Sequence, residues 1–545
     1  MTLSRDIPKF VVLVILDGWG IAPPGPGNAI TQARVINIEK FWNSYPHTTL
    51  EASGQAVGLP RGEDGNTETG HINLGAGRII YQDLERINMA IADGSFFRNP
   101  TLIGAIEHAK KNHSNLHIMG LVGGGGVHSN IEHLFALIRL CSNEGFDRVF
   151  FHLFTDGRDS PPTSAKTYIS KIMEVSNREK IGRIASIMGR FWAMDRDERW
   201  ERIEKSYNAL VLGEGALAKD VWEAIDTSYR NGITDEFIEP FLISDGNGRP
   251  VGLIKDNDSV IFFNFRIDRP RELTKAFVYS DFSKATLVDK NKFSANVGFG
   301  KEPFKRKVVL KNLFFATMTD YGKPIDEEGA KPAFPPEIVD NPLSAVISEA
   351  GFSQFKITES EKERFVNFYF NGLRETPFSG EDRVVIPSPK VSTYDQKPEM
   401  ACQEITDVLI KQIEADAYKF IVVNYPNADM VGHTGNIGAT VRAVEVVDDN
   451  IGRLANTVLS KGGSLIITAD HGNAEEMINL TTKEIDTEHS INPVPFICVD
   501  NRYLGVGRNL QSGILSDVAP TILHLFGIQP PSNMTGRNLL QELAV

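Results

Sequence analysis

Apolar residues along this chain come in short blocks rather than in a steady alternation. Six blocks stand out: FVVLVIL (10–16), LHIMGLV (116–122), RVFFHLF (148–154), VIFFNF (260–265), KFIVVN (419–424) and SLIIT (464–468). Each is rich in Val, Ile and Phe and is bounded by Gly, Asp or Asn, the signature of a strand buried on both faces. Helical spacing lies between them. In 441–461, Val444, Val447, Ile451, Leu454 and Val458 recur at intervals of three and four, and Gly462 and Gly463 mark the stop. Strands alternating with helices predict an α/β fold with largely parallel sheets. The proline-rich stretch 321–342 and most of 377–398 read as loops.

Composition narrows the class. With 545 residues the chain is long enough for two or more domains, and 41% hydrophobic against 23% charged residues supplies buried cores. A formal net charge of −13 argues against nucleic acid or an anionic membrane as the main partner, while leaving room for a locally basic pocket. Three scattered cysteines, Cys141, Cys402 and Cys498, form no CxxC pair. That excludes a disulfide framework and fits a reducing, cytoplasmic setting. The run 10–16 is too short to span a membrane and lacks a small-residue cleavage site, so a soluble protein that is not exported is expected.

Three of the apolar blocks run directly into oxygen and nitrogen ligands: Asp17 after the first, Asp429 and His433 after the fifth, Asp470 and His471 after the sixth. Open α/β sheets bind ligands outside the carboxyl ends of their strands. Asp429 and His433 are four apart, which puts both on one face of a helix. His489 precedes a further apolar run and adds to the set. Carboxylates and imidazoles without thiolates suit Mn, Zn, Co or Mg, and two Asp–His sets suggest a two-metal centre suited to phosphoryl transfer. The polar turn 64–71 offers two hydroxyls, Thr67 and Thr69, either of which could serve as a nucleophile beside metals. Between 120 and 270 lie His128, Arg158, Asp159, Arg190, Arg196, Arg266 and Arg269. Guanidinium forks match carboxylate and phosphate, so these predict an anion-binding pocket, although Arg158 and Arg196 each have an adjacent aspartate to pair with. Ligand candidates at both ends and arginines in the middle imply one phosphate-handling domain interrupted by an anion-binding one, with the site in the cleft between them.

Ten segments in order give the chain a resemblance to the cofactor-independent phosphoglycerate mutases of the alkaline phosphatase superfamily: LDGWG (16–20), GHINLGAGR (70–78), GVHS (126–129), DGRDSPP (156–162), GRFWAMDRDERW (189–200), FFNFRIDR (262–269), SPKVSTYD (388–395), DMVGHTG (429–435), ITADHGNAE (467–475) and NPVPF (492–496). The resemblance implies two α/β domains: a discontinuous alkaline-phosphatase-like domain over 1–84 and 314–545, and an inserted transferase domain over 85–313. It implies interconversion of 2-phosphoglycerate and 3-phosphoglycerate in glycolysis and gluconeogenesis, without 2,3-bisphosphoglycerate, by a cytoplasmic monomer carrying two divalent metals of the Mn²⁺ type. By matching motifs, Asp429, His433 and His489 are implied as ligands of one metal, and Asp17, Asp470, His471 and the Thr67 hydroxyl as ligands of the other. His128, Arg158, Asp159, Arg190, Arg196, Arg266 and Arg269 match substrate contacts, Lys362 matches a phosphate-contacting lysine, and Asp159 matches the proton shuttle. Three departures stand out: Thr67 in place of the family's nucleophilic serine, Gly124 in place of an aspartate, and Glu-Arg-Phe after Lys362 in place of Tyr-Ala-His. The alternatives are another metal-dependent phosphatase or phosphomutase of the same superfamily, or a catalytically silent phosphoglycerate binder.

Overall fold

The computed structural model describes residues 7–286, 302–479 and 481–543. All six apolar blocks form strands, and the described residues build two eight-stranded sheets. In the first sheet the strand order is Glu381–Ile386, Gln354–Glu359, Phe420–Tyr425, Val11–Leu16, Ser464–Thr468, Val494–Val499, His47–Glu51 and Gly513–Ile514. The five strands from Glu381–Ile386 to Ser464–Thr468 are parallel, and Val494–Val499 pairs antiparallel with both of its neighbours. Val11–Leu16 lies at the centre with every residue buried, which is why it reads as an unbroken apolar run. In the second sheet the order is Ala330–Phe334, Phe314–Thr319, Ser259–Phe262, Leu116–Val122, Val149–Thr155, Arg183–Gly189, Phe241–Ile243 and Ala216–Ala218. It is parallel except where Arg183–Gly189 meets Phe241–Ile243.

The helix expected over 441–461 spans Ile437–Ser460, with Asn436 at its N-cap accepting from the Ala439 N–H at 3.1 Å, and it ends just before Gly462 in the left-handed region. Two expected loops contain strands. The stretch 321–342 holds the helix Lys323–Glu327 and the strand Ala330–Phe334, and 377–398 holds Glu381–Ile386. Both strands lie at a sheet edge. An edge strand needs only one row of backbone partners, so it tolerates Pro332 and the charged residues that made these stretches look like loops.

The chain divides into two compact units: Met1–Gln82 with Glu337–Val545, and Asp83–Pro336. The first crossing falls close to the expected one at 84/85. The second differs from the expected 313/314, because Phe314–Thr319 and Ala330–Phe334 extend the second sheet beside Ser259–Phe262. Each unit has its own apolar core, one around Val11–Leu16, the other around Leu116–Val122. Among the described residues no helix is long and apolar enough to cross a membrane, and the three cysteines are free and buried.

Candidate active site

In the first unit, four neighbouring parallel strands deliver their next residues to one place. Asp17 follows Val11–Leu16; Asp470 and His471 follow Ser464–Thr468. Asp429 sits in the helix Asn427–Gly432 after Phe420–Tyr425, and His433 caps it. Lys362 follows Gln354–Glu359. Thr67 begins the helix Thr67–Ala76, where Asn66 caps the N-terminus by accepting from Thr69 N–H at 2.9 Å. That helix comes close because Gly70 lacks a side chain: a Cβ there would lie 2.5 Å from the Asp470 carbonyl oxygen.

Donor atoms of Asp429, His471 and His489 converge within 4.8 Å of one another, as do those of Asp17, Asp470 and His471. His433 Nε2 joins the first group, 3.2 Å from Asp429 Oδ1 and 3.2 Å from His489 Nε2. His471 thus stands between the two groups, where the family resemblance gave it to one alone. Thr67 Oγ1 lies 2.9 Å from His471 Nε2. Lys362 Nζ reaches Asp17 Oδ1 at 2.9 Å, Asp429 Oδ2 at 2.7 Å and Thr67 Oγ1 at 3.0 Å. Thr69 is excluded from this centre: its hydroxyl donates to Asn66 within the helix cap.

Electrostatics explains what such a pocket lacks. Two buried carboxylates, Asp17 and Asp429, pair with the buried Lys362 ammonium, and a third, Asp470, lies beside His71 and His471. Burial and the neighbouring Asp470 raise the Asp17 carboxyl above its ordinary value. Burial opposes ionisation of Asp429 as well, but Lys362 foremost and then the histidines hold it well below. Burial likewise opposes a charged Lys362, yet Asp17 and Asp429 hold its ammonium above the ordinary lysine range. The hydrogen bond that His433 donates to Asp429 raises His433; at His489 burial works downward and Asp429 outweighs it. Asp470 Oδ2 is buried and accepts no hydrogen bond, although His71 Nδ1 lies 3.2 Å and His471 Nε2 3.4 Å away. An acid-rich pocket of oxygen and nitrogen donors with an unpaired carboxylate oxygen fits divalent cations of the Mn, Zn, Co or Mg kind.

Several residues that sequence reading passed over hold these groups. Asn424 donates to Asp17 Oδ2 at 2.7 Å, and Asn473 to Asp429 Oδ1 at 3.1 Å. Glu475 accepts from the Gly20 and Asn473 N–H groups, both at 2.9 Å, tying the loops after two strands together. Their only sequence signal is a polar side chain at the end of a buried strand or beside a ligand.

The second unit gathers the other set. Arg158, Arg190, Arg196 and Arg269 line a cavity of about 370 Å³ with Asp195 and Glu236. Arg190 is buried and its Nη1 donates to Asp156 at 2.6 Å and Asp159 at 2.5 Å. Arg196 pairs with Asp268 at 2.9 Å rather than with adjacent Asp197, which pairs with Arg199 at 2.6 Å; Arg158 lies 3.8 Å from Glu236 rather than pairing with Asp159. Arg266 Nε is 3.3 Å from Asp268. His128 is buried between Asp159 at 3.8 Å and Asp268 at 3.5 Å; burial and then Arg190 push its imidazole down to about 4, so it is neutral at pH 7. At Gly124 the Tyr168 hydroxyl fills the space a side chain would take: a Cβ there would lie 2.3 Å from it.

The fold and these side chains define an α/β protein with a buried Asp/His cluster whose donors suit cations and an arginine-rich pocket whose guanidinium groups suit a small anion. The comparisons with known proteins narrow the class. Residues 87–323 match the family model described as the BPG-independent PGAM N-terminus. The 2,3-bisphosphoglycerate-independent phosphoglycerate mutase of Moorella thermoacetica is 49% identical, with 99% of each chain covered. That of Chloroflexus aggregans is 48% identical over 98% of this chain and 99% of its own. The crystal structure of Leishmania mexicana phosphoglycerate mutase at low cobalt concentration is 29% identical, covers 97% of each chain and superposes with a TM-score of 0.56. The chain belongs to the 2,3-bisphosphoglycerate-independent phosphoglycerate mutases, a family of isomerases.

Proposed function

We propose that this protein interconverts 2-phosphoglycerate and 3-phosphoglycerate through a phosphothreonine at Thr67, with two divalent metal ions and without bisphosphoglycerate. The observation that carries the reading is the meeting of one hydroxyl, Thr67 Oγ1, with Lys362 and His471 among two convergent Asp/His groups. Asp429, His433 and His489 are the residues to hold one ion; Asp17, Asp470, His471 and Thr67 are those to hold the other. Bound there, the ions supply positive charge to the transferring phosphoryl group and lower the pKa of a neighbouring hydroxyl. Thr67 attacks phosphorus and its bond to the glycerate oxygen breaks. The Lys362 ammonium, 3.0 Å from Oγ1, stabilises negative charge on that oxygen as it becomes the nucleophile and again as it leaves.

Glycerate must then stay while it turns. In this reading Arg158, Arg190, Arg196, Arg266 and Arg269 hold its carboxylate and His128 offers a neutral imidazole to its hydroxyls. Asp159, kept ionised by Arg190 against the effect of its partial burial, takes the proton from the hydroxyl that receives the phosphoryl group and passes it to the oxygen that has lost it. The test is a single assay of purified protein with 3-phosphoglycerate and no bisphosphoglycerate. Activity that disappears on chelation and returns with Mn²⁺ is expected. Full turnover by metal-stripped protein overturns the metal reading, and phosphate release without 2-phosphoglycerate makes the protein a phosphatase instead.

A further inference from the structure

The glycine run 123–126 and Asp156 have no place in the reaction as derived so far, yet they meet. Asp156 follows the strand Val149–Thr155 and is 3% exposed. Its Oδ1 accepts from Arg190 Nη1 at 2.6 Å, from the Asp159 N–H at 3.1 Å and from the Arg158 N–H at 3.3 Å. Its Oδ2 accepts from the Ser160 hydroxyl at 2.9 Å, and the Ser160 oxygen in turn accepts from the Gly124 N–H at 2.8 Å. One carboxylate thus holds the turn carrying Arg158 and Asp159, the Arg190 guanidinium and, through Ser160, the glycine run.

The glycines are there because this turn lies directly on them. A Cβ at Gly123 would sit 2.6 Å from Ser160 Oγ and 2.8 Å from Asp156 Oδ2, and one at Gly125 would sit 2.2 Å from the Asp159 carbonyl oxygen. Gly126 adopts φ +63, which favours glycine. The run is a floor on which the Asp156–Ser160 turn rests.

We infer that Asp156 is a positioning residue for the mutase reaction: it shares Arg190 Nη1 with Asp159 and so fixes where the Asp159 carboxylate stands for proton transfer. The inference rests on the proposed role of Asp159. The same guanidinium nitrogen donates to both carboxylates, at 2.6 Å to Asp156 and 2.5 Å to Asp159. The Asp156 and Asp159 carboxylates hold Arg190 on both sides, and the backbone N–H of Asp159 is pinned by the Asp156 oxygen that takes the guanidinium. Without the Asp156 carboxylate, Arg190 is free to close on Asp159 alone and the turn loses its anchor. Asp156 itself touches no substrate in this account; its loss acts on the proton-transfer step through Asp159 and on binding through Arg158 and Arg190.

The test is steady-state kinetics of Asp156→Asn, Asp159→Asn and the double variant, each folded by circular dichroism. Loss of one charge-assisted hydrogen bond corresponds to roughly ten- to a hundred-fold. We expect kcat of Asp156→Asn to fall by about that factor, with any rise in the KM for 3-phosphoglycerate reporting the hold on Arg158 and Arg190. In the Asp159→Asn background the same change should cost almost nothing further, because both act on one step. An equal loss in both backgrounds, or a kcat within about twofold of the parent, overturns the inference while Asp159 keeps its role. If Asp159→Asn is itself fully active, the proton-shuttle reading fails and this inference falls with it. Should Asp156→Asn not fold, Ser160→Ala carries the test, since it removes only the hydroxyl that steadies Asp156 Oδ2. A fall in kcat that disappears in the Asp159→Asn background supports the inference there, and an unchanged kcat overturns it.

Discussion

Thr67 and Thr69 are two residues apart and chemically alike, yet only one is placed to react. Thr67 Oγ1 meets Lys362 and His471, while Thr69 Oγ1 is used up in the cap. Thr67→Ala is therefore expected to abolish mutase activity with the fold intact, and Thr67→Ser to keep or raise it by removing a methyl from a crowded pocket. Thr69→Ala should stay active. If Thr69→Ala is the dead variant and Thr67→Ala turns over, the nucleophile is misassigned. At this scale much was legible. Aspartates and histidines directly after buried strands announce a cluster of side chains, because strand ends in a parallel sheet share one rim. Which arginine pairs with which acid was not legible. Arg196 ignores its neighbour Asp197 for Asp268, a contact made by tertiary folding that adjacency in sequence conceals.

At the scale of elements, the loop carrying Arg196 depends on the helix Arg271–Val278. Glu272 on that helix is buried and accepts from the Glu198 N–H at 2.9 Å, and Glu198 adopts a left-handed φ of 56. Burial, with Asp195 nearby, pushes the Glu272 carboxyl up to about 7. The folded protein therefore holds this proton more tightly than the unfolded chain does. Its contribution to stability is fully present below the ordinary glutamate range and is lost as pH rises through about 7. Glu272→Gln cannot ionise and keeps an acceptor, so it should melt above the parent at pH 8, with the difference closing towards pH 5. Calorimetry across that range checks this; an offset equal at every pH counts against it. Element identity was readable where burial was complete, as in Val11–Leu16. It was not readable at the edges, where Ala330–Phe334 and Glu381–Ile386 carry proline or charge because one side of each has no strand to satisfy. The close approach of Thr67–Ala76 to Asp470 was also hidden. Gly70→Ala should force the two apart and lower both activity and stability by about 1–3 kcal/mol of overpacking cost, measurable by denaturant unfolding.

At the scale of the whole molecule, a phosphatase needs only the first unit's chemistry, whereas a mutase must also keep glycerate while the phosphoenzyme waits. The second unit's arginines are the means of retention in the proposed reaction. Arg196→Ala is thus expected to raise the ratio of released phosphate to mutase product, and not merely to slow turnover. The parent should incorporate little free labelled glycerate into product. Exchange of label as fast as turnover would mean that glycerate leaves in every cycle, and a parallel loss of transfer and release in the variant would assign Arg196 to initial binding.

The strand Val11–Leu16 pairs with Phe420–Tyr425 on one side and Ser464–Thr468 on the other, and everything from Asp83 to Pro336 belongs to the other unit. A ribosome must therefore make some 450 further residues before the first strand finds its neighbours, roughly half a minute or more of waiting at ordinary synthesis rates. The inserted unit is complete long before that. Folded early, it brings the two ends of its own segment towards each other and shortens the effective loop that the first strand has to close. Order of emergence thus becomes order of assembly: a protease-resistant core confined to 83–336 should appear on chains arrested near residue 400, and the N-terminal strand should become protected only once the Ser464–Thr468 strand has left the exit tunnel.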